Sequence, residues 1–172
     1  METSVALARP AVAQSSMLTR LLQIVATALA WAVLMGQSAL VGLLFERGRI
    51  LDPQVVEIAA LYGVGGLIGY LFAHFPILWL VRRSSHPWSL LIAACVLTLF
   101  TLGATAGVLA LEYRTYYAQW HGYPLSIVWF YQQFYTALGS TYQFAVLGTR
   151  LYWPLGPVSL VAMSWWLTRR AS

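Results

Sequence analysis

Ile58–Val81, IAALYGVGGLIGYLFAHFPILWLV, contains no Asp, Glu, Lys or Arg, and this stretch decides the fold class. A helix crossing roughly 30 Å of hydrocarbon needs about 20 mostly apolar residues. On either side, Leu21–Phe45 and Trp88–Leu111 are equally free of charge, and Leu151–Thr168 is a shorter fourth run. Only helices and closed barrels satisfy every backbone group in lipid, and runs of this length specify helices. The chain is 60% hydrophobic and 9% charged, against about 25% charged in soluble domains. The expectation is an all-α integral membrane protein.

Working outward, the sequence predicts a compact bundle of four transmembrane helices at about 18–45, 56–81, 88–111 and 144–167. Residues 1–17 form an N-terminal tail, 18–168 the membrane domain and 169–172 the C-terminus. Asp52-Pro53 opens the second helix, since Asp caps well and Pro needs no N–H at the first helical position. Pro124–Gly148 is ambiguous. Ser126, Gln132, Gln133, Thr136, Ser140 and Gln143 share one side of a helix there. The segment, with its core at about 124–140, reads as an outer-side amphipathic or re-entrant helix, or as a span whose polar stripe faces protein. Tyr113, Tyr116, Tyr117, Trp120, Tyr123 and Trp129 give its approach an interfacial composition. Pro154 and Pro157 are kink points in the last crossing.

All ten basic residues are Arg. The absence of Lys excludes Schiff-base chemistry and the Lys of a phosphate loop. Arg-only usage with abundant Ala, Leu and Val points to a GC-rich bacterial genome, and a multi-pass helical chain is then expected in the inner membrane. With four crossings, Arg9, Arg20, Arg82, Arg83, Arg169 and Arg170 fall on one side, and Arg47, Arg49, Arg114 and Arg150 on the other. The positive-inside rule then places both termini in the cytoplasm. The pI of 9.7 is topogenic and requires no nucleic acid. Trp79, Trp88, Trp165 and Trp166 mark the cytoplasmic boundary. Cys95, alone, forms no intramolecular disulfide and no thiol pair.

Few residues carry chemistry. Gly65 and Gly69 form one GxxxG pair and Gly103 and Gly107 another; small residues four apart let helices approach closely, within the bundle or against a partner. Trp31, beside alanines at mid-span, is a candidate knob into a neighbouring helix or pigment. His74 is the one ionisable side chain well inside a span, about 12 Å from Arg82 at 1.5 Å per residue. It is a candidate haem ligand, proton relay or quinone hydrogen-bond donor, or else a neutral ring bonded to the Phe72 carbonyl that Pro76 frees. His86 and His121 lie near opposite surfaces, so this chain supplies no second axial ligand. Glu57, Glu112 and Arg150, with Arg114, are a candidate outer carboxylate–arginine cluster, and with Gln133 a candidate polar pathway. Gly36-Gln37-Ser38-Ala39 resembles the GxSG serine motif of rhomboid proteases, but the last position is Ala and the six-span context is missing. No other catalytic, zinc or phosphate-loop motif is present.

The expected function is therefore a non-catalytic accessory, scaffold or assembly subunit of a larger bacterial inner-membrane complex, with an energy-transducing (respiratory or photosynthetic) complex as one setting. Its partners are other membrane subunits and the lipid bilayer. The alternatives are a small oligomeric transporter or channel, and a membrane anchor binding haem or quinone through His74. The sequence itself requires no cofactor.

Overall fold

The computed structural model describes the backbone of residues 2–171 and the side chains of 17–45, 47–85 and 88–170. It is helical, with no strand among the described residues. The helices are α1 (Glu2–Val41), α2 (Pro53–Val81), α3 (His86–Tyr117), α4 (Ile127–Gln143) and α5 (Leu155–Ala171). Three stretches, Met17–Phe45, Pro53–Val81 and Trp88–Trp120, are long and apolar enough to cross a membrane. This is a multi-pass helical membrane protein. The 17-residue α5 is not among the three. The expected tail at 1–17 falls almost wholly on residues whose side chains lie outside the described set.

Local signals explain most boundaries. The Asp52 carboxylate accepts from Val55 N at 2.8 Å, and Pro53 occupies the first turn of α2. The helix expected to end at Leu111 instead continues to Tyr117 and adds a 3-10 turn, Ala118–Trp120. Glu112 and Arg114 end the apolar run but not the helix, because charged residues are good helix formers. Chain reversal waits for Gly122 and Pro124. Leu125 then takes φ 67°, and Ser126 caps α4 by accepting from Trp129 N at 3.1 Å.

The last crossing, expected as one helix over 144–167, is divided. After α4 come a π-turn (Phe144–Gly148), a 3-10 turn (Thr149–Tyr152) and the cis Trp153–Pro154 bond, and only then α5. Pro154 has no N–H to donate, and its ring excludes the carbonyl four residues earlier.

Helix α2 is pressed between two neighbours by its glycines. A Cβ at Gly65 would lie 2.6 Å from Thr105 Cα, and one at Gly69 would lie 2.6 Å from Thr101 Cα. Those two residues admit the backbone of α3. On the other side, a Cβ at Gly66 would lie 3.0 Å from Met35 Cβ, and one at Gly36 of α1 would lie 3.0 Å from the Ala59 carbonyl. Tyr70 adds a hydrogen bond from its hydroxyl to Thr27 at 2.9 Å. By contrast, a Cβ at Gly103 or Gly107 would meet nothing within 4 Å. The second GxxxG pair faces away from the bundle.

Helix α5 closes the bundle against α1 and α3. Ser38 meets residues 151–156, while Trp31, further back along α1, shares a cavity wall with Leu160. That reversal of order makes α5 antiparallel to α1. At the end holding Arg82, Arg83, Arg169 and Arg170, here the basic end, guanidinium groups stack on indoles: Arg83 over Trp79 at 4.1 Å, Arg169 over Trp165 at 3.9 Å and Arg170 over Trp166 at 3.8 Å. The opposite end carries Arg47, Arg49, Asp52, Glu57 and Glu112 and is the mixed-charge end.

Overpacking a closed contact costs about 1–3 kcal/mol per site. Gly65→Leu with Gly69→Leu will therefore lower resistance to unfolding in an SDS titration by at least that much. Gly103→Leu with Gly107→Leu will unfold with the wild type. Equal behaviour of the two double variants would contradict the packing.

Candidate functional site

The divided segment after α4 releases backbone carbonyls, and α1, the α1–α2 connection and α2 collect them. Arg47 Nη2 donates to Leu147 O at 3.1 Å, and the Tyr62 hydroxyl donates to Gly148 O at 2.6 Å. The Ser38 hydroxyl donates to Tyr152 O at 2.7 Å and in turn accepts from Gly156 N at 3.1 Å. Ser38 thus bridges the C-terminal end of one helical piece and the N-terminal end of the next. It is fully buried. The serine that resembled a protease nucleophile is a splice between two helix ends. The rings of Tyr62 and Tyr152 lie 5.0 Å apart and those of Tyr62 and Phe144 6.2 Å apart, which seats the junction against α2.

A second polar set lies deeper. Trp31 Nε1 donates to Thr101 Oγ1 at 3.0 Å, Thr105 Oγ1 donates to Thr101 O at 2.8 Å, and Thr105 Oγ1 and the Tyr152 hydroxyl are 2.7 Å apart. Trp31, with 1% of its surface exposed, is a knob held by α3. Beside it is a largely apolar cavity of about 240 Å³, lined by Trp31, Met35, Leu102, Pro157 and Leu160 among others.

The polar stripe of α4 is bonded within the chain. Gln133 Nε2 and His121 Nδ1 are 2.8 Å apart, Gln132 Oε1 accepts from Gly122 N at 2.7 Å, and the Tyr113 hydroxyl donates to Gln143 Oε1. Tyr113 meets Gln143 while His121 meets Gln133, so α4 runs antiparallel to the end of α3. Gln133 is therefore apart from Glu57 and Glu112. Among the described residues of α4, Ser140 alone is buried.

Glu57 and Glu112 do come together, though with different arginines from those expected. A cleft of about 620 Å³ at the mixed-charge end is lined by Arg47, Arg49, Glu57, Glu112, Tyr113, Tyr116 and Tyr117, with Leu43 and Ile58 below them. Arg114 and Arg150 do not line it. Arg114 is about 200° around α3 from Glu112 at 100° per residue, and Arg150 is carried away on the 3-10 turn. Arg49 is held on one side, 3.0 Å from Gln54 Oε1 and 3.6 Å from Asp52 Oδ2. Among the described residues, neither the Glu57 nor the Glu112 carboxylate makes a hydrogen bond or an ion pair. Sequence reasoning missed Arg47 and Arg49 as members. The signal was available, because a loop between Glu46 and Asp52 keeps its residues beside the first turn of α2.

His74 is half-buried, with its ring 5.6 Å from Tyr70 and 5.5 Å from Phe75. Its Nδ1 has no hydrogen-bond partner among the described residues. The Phe72 carbonyl expected as acceptor is two residues away, about 200° around the helix. No group of three or more His, Cys, Asp or Glu residues that could hold a metal occurs among the described residues. Comparison with family models, curated proteins and solved structures returned no match.

Removing a donor from a buried acceptor costs about 1–3 kcal/mol. Ser38→Ala will lower stability by that amount in an SDS titration, and Tyr62→Phe will do the same. Because both act on one segment, their double-mutant cycle will show a coupling of about 0.5 kcal/mol or more. Strict additivity would mean that the junction is not one unit.

Proposed function

We propose that the chain is a non-catalytic accessory, scaffold or assembly subunit of a larger inner-membrane complex. In this reading the segment 144–167 makes a fourth crossing through its divided helix and α5, and both termini are cytoplasmic on the count of six arginines against four. The observation that carries the reading is the orientation of α4. Its polar face is bonded to α3 and the preceding loop, while Ile127, Tyr131, Phe134 and Tyr135 stand 76%, 61%, 62% and 64% exposed. A helix held by its polar side, with its apolar side outward, is suited to contact beyond its own chain.

Gln143 is bonded to Tyr113, one residue past Glu112. From there α4 extends about 24 Å to Ile127 at 1.5 Å per residue, antiparallel to the end of α3. Within the spans, the open Gly103 and Gly107 offer a second close-approach surface. The transport alternative is less well supported, because the α4 glutamines that would line its path are already bonded to Tyr113, His121 and Gly122.

Purification of the tagged chain in mild detergent, with mass determination and mass spectrometry of co-purifying proteins, tests this. A large particle with defined partners at near-stoichiometric levels is expected. Tyr131→Gln with Phe134→Gln will release those partners without destabilising the chain. A lone monomer or small homo-oligomer in the wild type would overturn the reading.

A further inference from the structure

The geometry points to the cleft at the mixed-charge end as a binding site for a phospholipid head that carries both a phosphate and a primary amine. Three properties of the cleft select that chemistry.

The first is charge without pairing. Two guanidinium groups, Arg47 and Arg49, and two carboxylates, Glu57 and Glu112, line one cleft, yet no Arg–Glu ion pair forms among the described residues. The arginines sit on the α1–α2 connection, and the carboxylates sit on α2 and α3. Opposite charges held apart across one space match a dipolar ligand. Among the described residues, each arginine commits Nη2 alone, to Leu147 O or to Gln54 and Asp52, and keeps further N–H donors for a phosphate. Both carboxylates are free to accept from an ammonium.

The second is aromatic surface on the carboxylate side. Tyr116 and Tyr117 are edge-to-face at 5.1 Å, and Tyr113 and Tyr117 lie 6.0 Å apart. Tyrosine faces attract cations, and tyrosine is enriched where a membrane meets water. The third is the amphiphilic gradient of the wall. Leu43 is buried and Ile58 half-buried beneath an exposed charged rim. A water-soluble zwitterion leaves that apolar floor unused, whereas the glycerol and first acyl carbons of a lipid cover it.

The phosphate therefore rests against Arg47 and Arg49, and the amine against Glu57 and Glu112 with the tyrosine rings beside it. This assignment stands apart from the subunit reading, because it is read on the isolated chain.

Native mass spectrometry of the purified full-length chain, offered equal amounts of phosphatidylethanolamine and phosphatidylglycerol, tests it. The wild type is expected to retain the ethanolamine lipid about tenfold better, the effect of one charge-assisted contact. Among the described residues, Glu57→Gln with Glu112→Gln removes no hydrogen bond or ion pair, so it keeps the fold. It is expected to reverse the preference toward phosphatidylglycerol, because the cleft becomes cationic. Arg47→Gln with Arg49→Gln is expected to lose both lipids. Equal retention by the wild type, or an unchanged preference in the glutamate variant, would overturn the assignment. Displacement of the lipid by soluble O-phosphoethanolamine at equal concentration would also overturn it, transferring the site to a free zwitterion.

Discussion

A break between two buried helix ends is tolerable only where the released carbonyls find donors, since a buried polar group left unpaired is costly. Pro154 donates no N–H at the break, and the π- and 3-10 turns before it replace the α-helical pattern over residues 144–152. Three side chains donate to carbonyls of this segment: Ser38 of α1, Arg47 of the α1–α2 connection and Tyr62 of α2. The placement of α5 depends on them. Ser38 in particular fixes both edges of the gap with one hydroxyl, so the exit of one helical piece and the entry of the next are held to a single point on α1.

The α2–α3 contact supports this junction from behind. The glycines that let α3 approach face Thr101 and Thr105, and the same threonines bond Trp31 and Tyr152. A bulkier residue at Gly65 would push away Thr105, and with it the Tyr152 hydroxyl beside the break. Close packing and the polar network therefore form one arrangement. Without a hydrophobic drive between helices in lipid, packing of this kind must hold the bundle.

Legibility in the sequence followed the physical range of each signal. The three long apolar runs and the Asp52 cap are local, and they were readable. The direction of each GxxxG pair was not, because the motif reports small residues and leaves the neighbour unnamed. Gly65 and Gly69 meet α3, while Gly103 and Gly107 meet nothing within 4 Å. The end of α3 was misplaced because a change of polarity at Glu112 marks the edge of an apolar run, whereas a helix ends only where its backbone cannot continue. That two-turn extension then turned Arg114 away from Glu112. Ser38 was read only as a failed motif, and its structural role depends on a segment more than a hundred positions later.

The extension of α3 past Leu111 gives the mixed-charge end its form. It carries Glu112, Tyr113, Tyr116 and Tyr117 into the wall of the cleft, and it provides the surface on which the polar face of α4 rests. Tyr113 belongs to both: its side chain lines the cleft, and its hydroxyl holds Gln143. Arg47 is shared in the same way, lining the cleft while bonding the Leu147 carbonyl just beyond α4. The cleft and the outward apolar face of α4 are thus not independently placed. A shift of α4 relative to α3 moves Gln143 and Leu147 together, and so acts on two walls of the cleft at once.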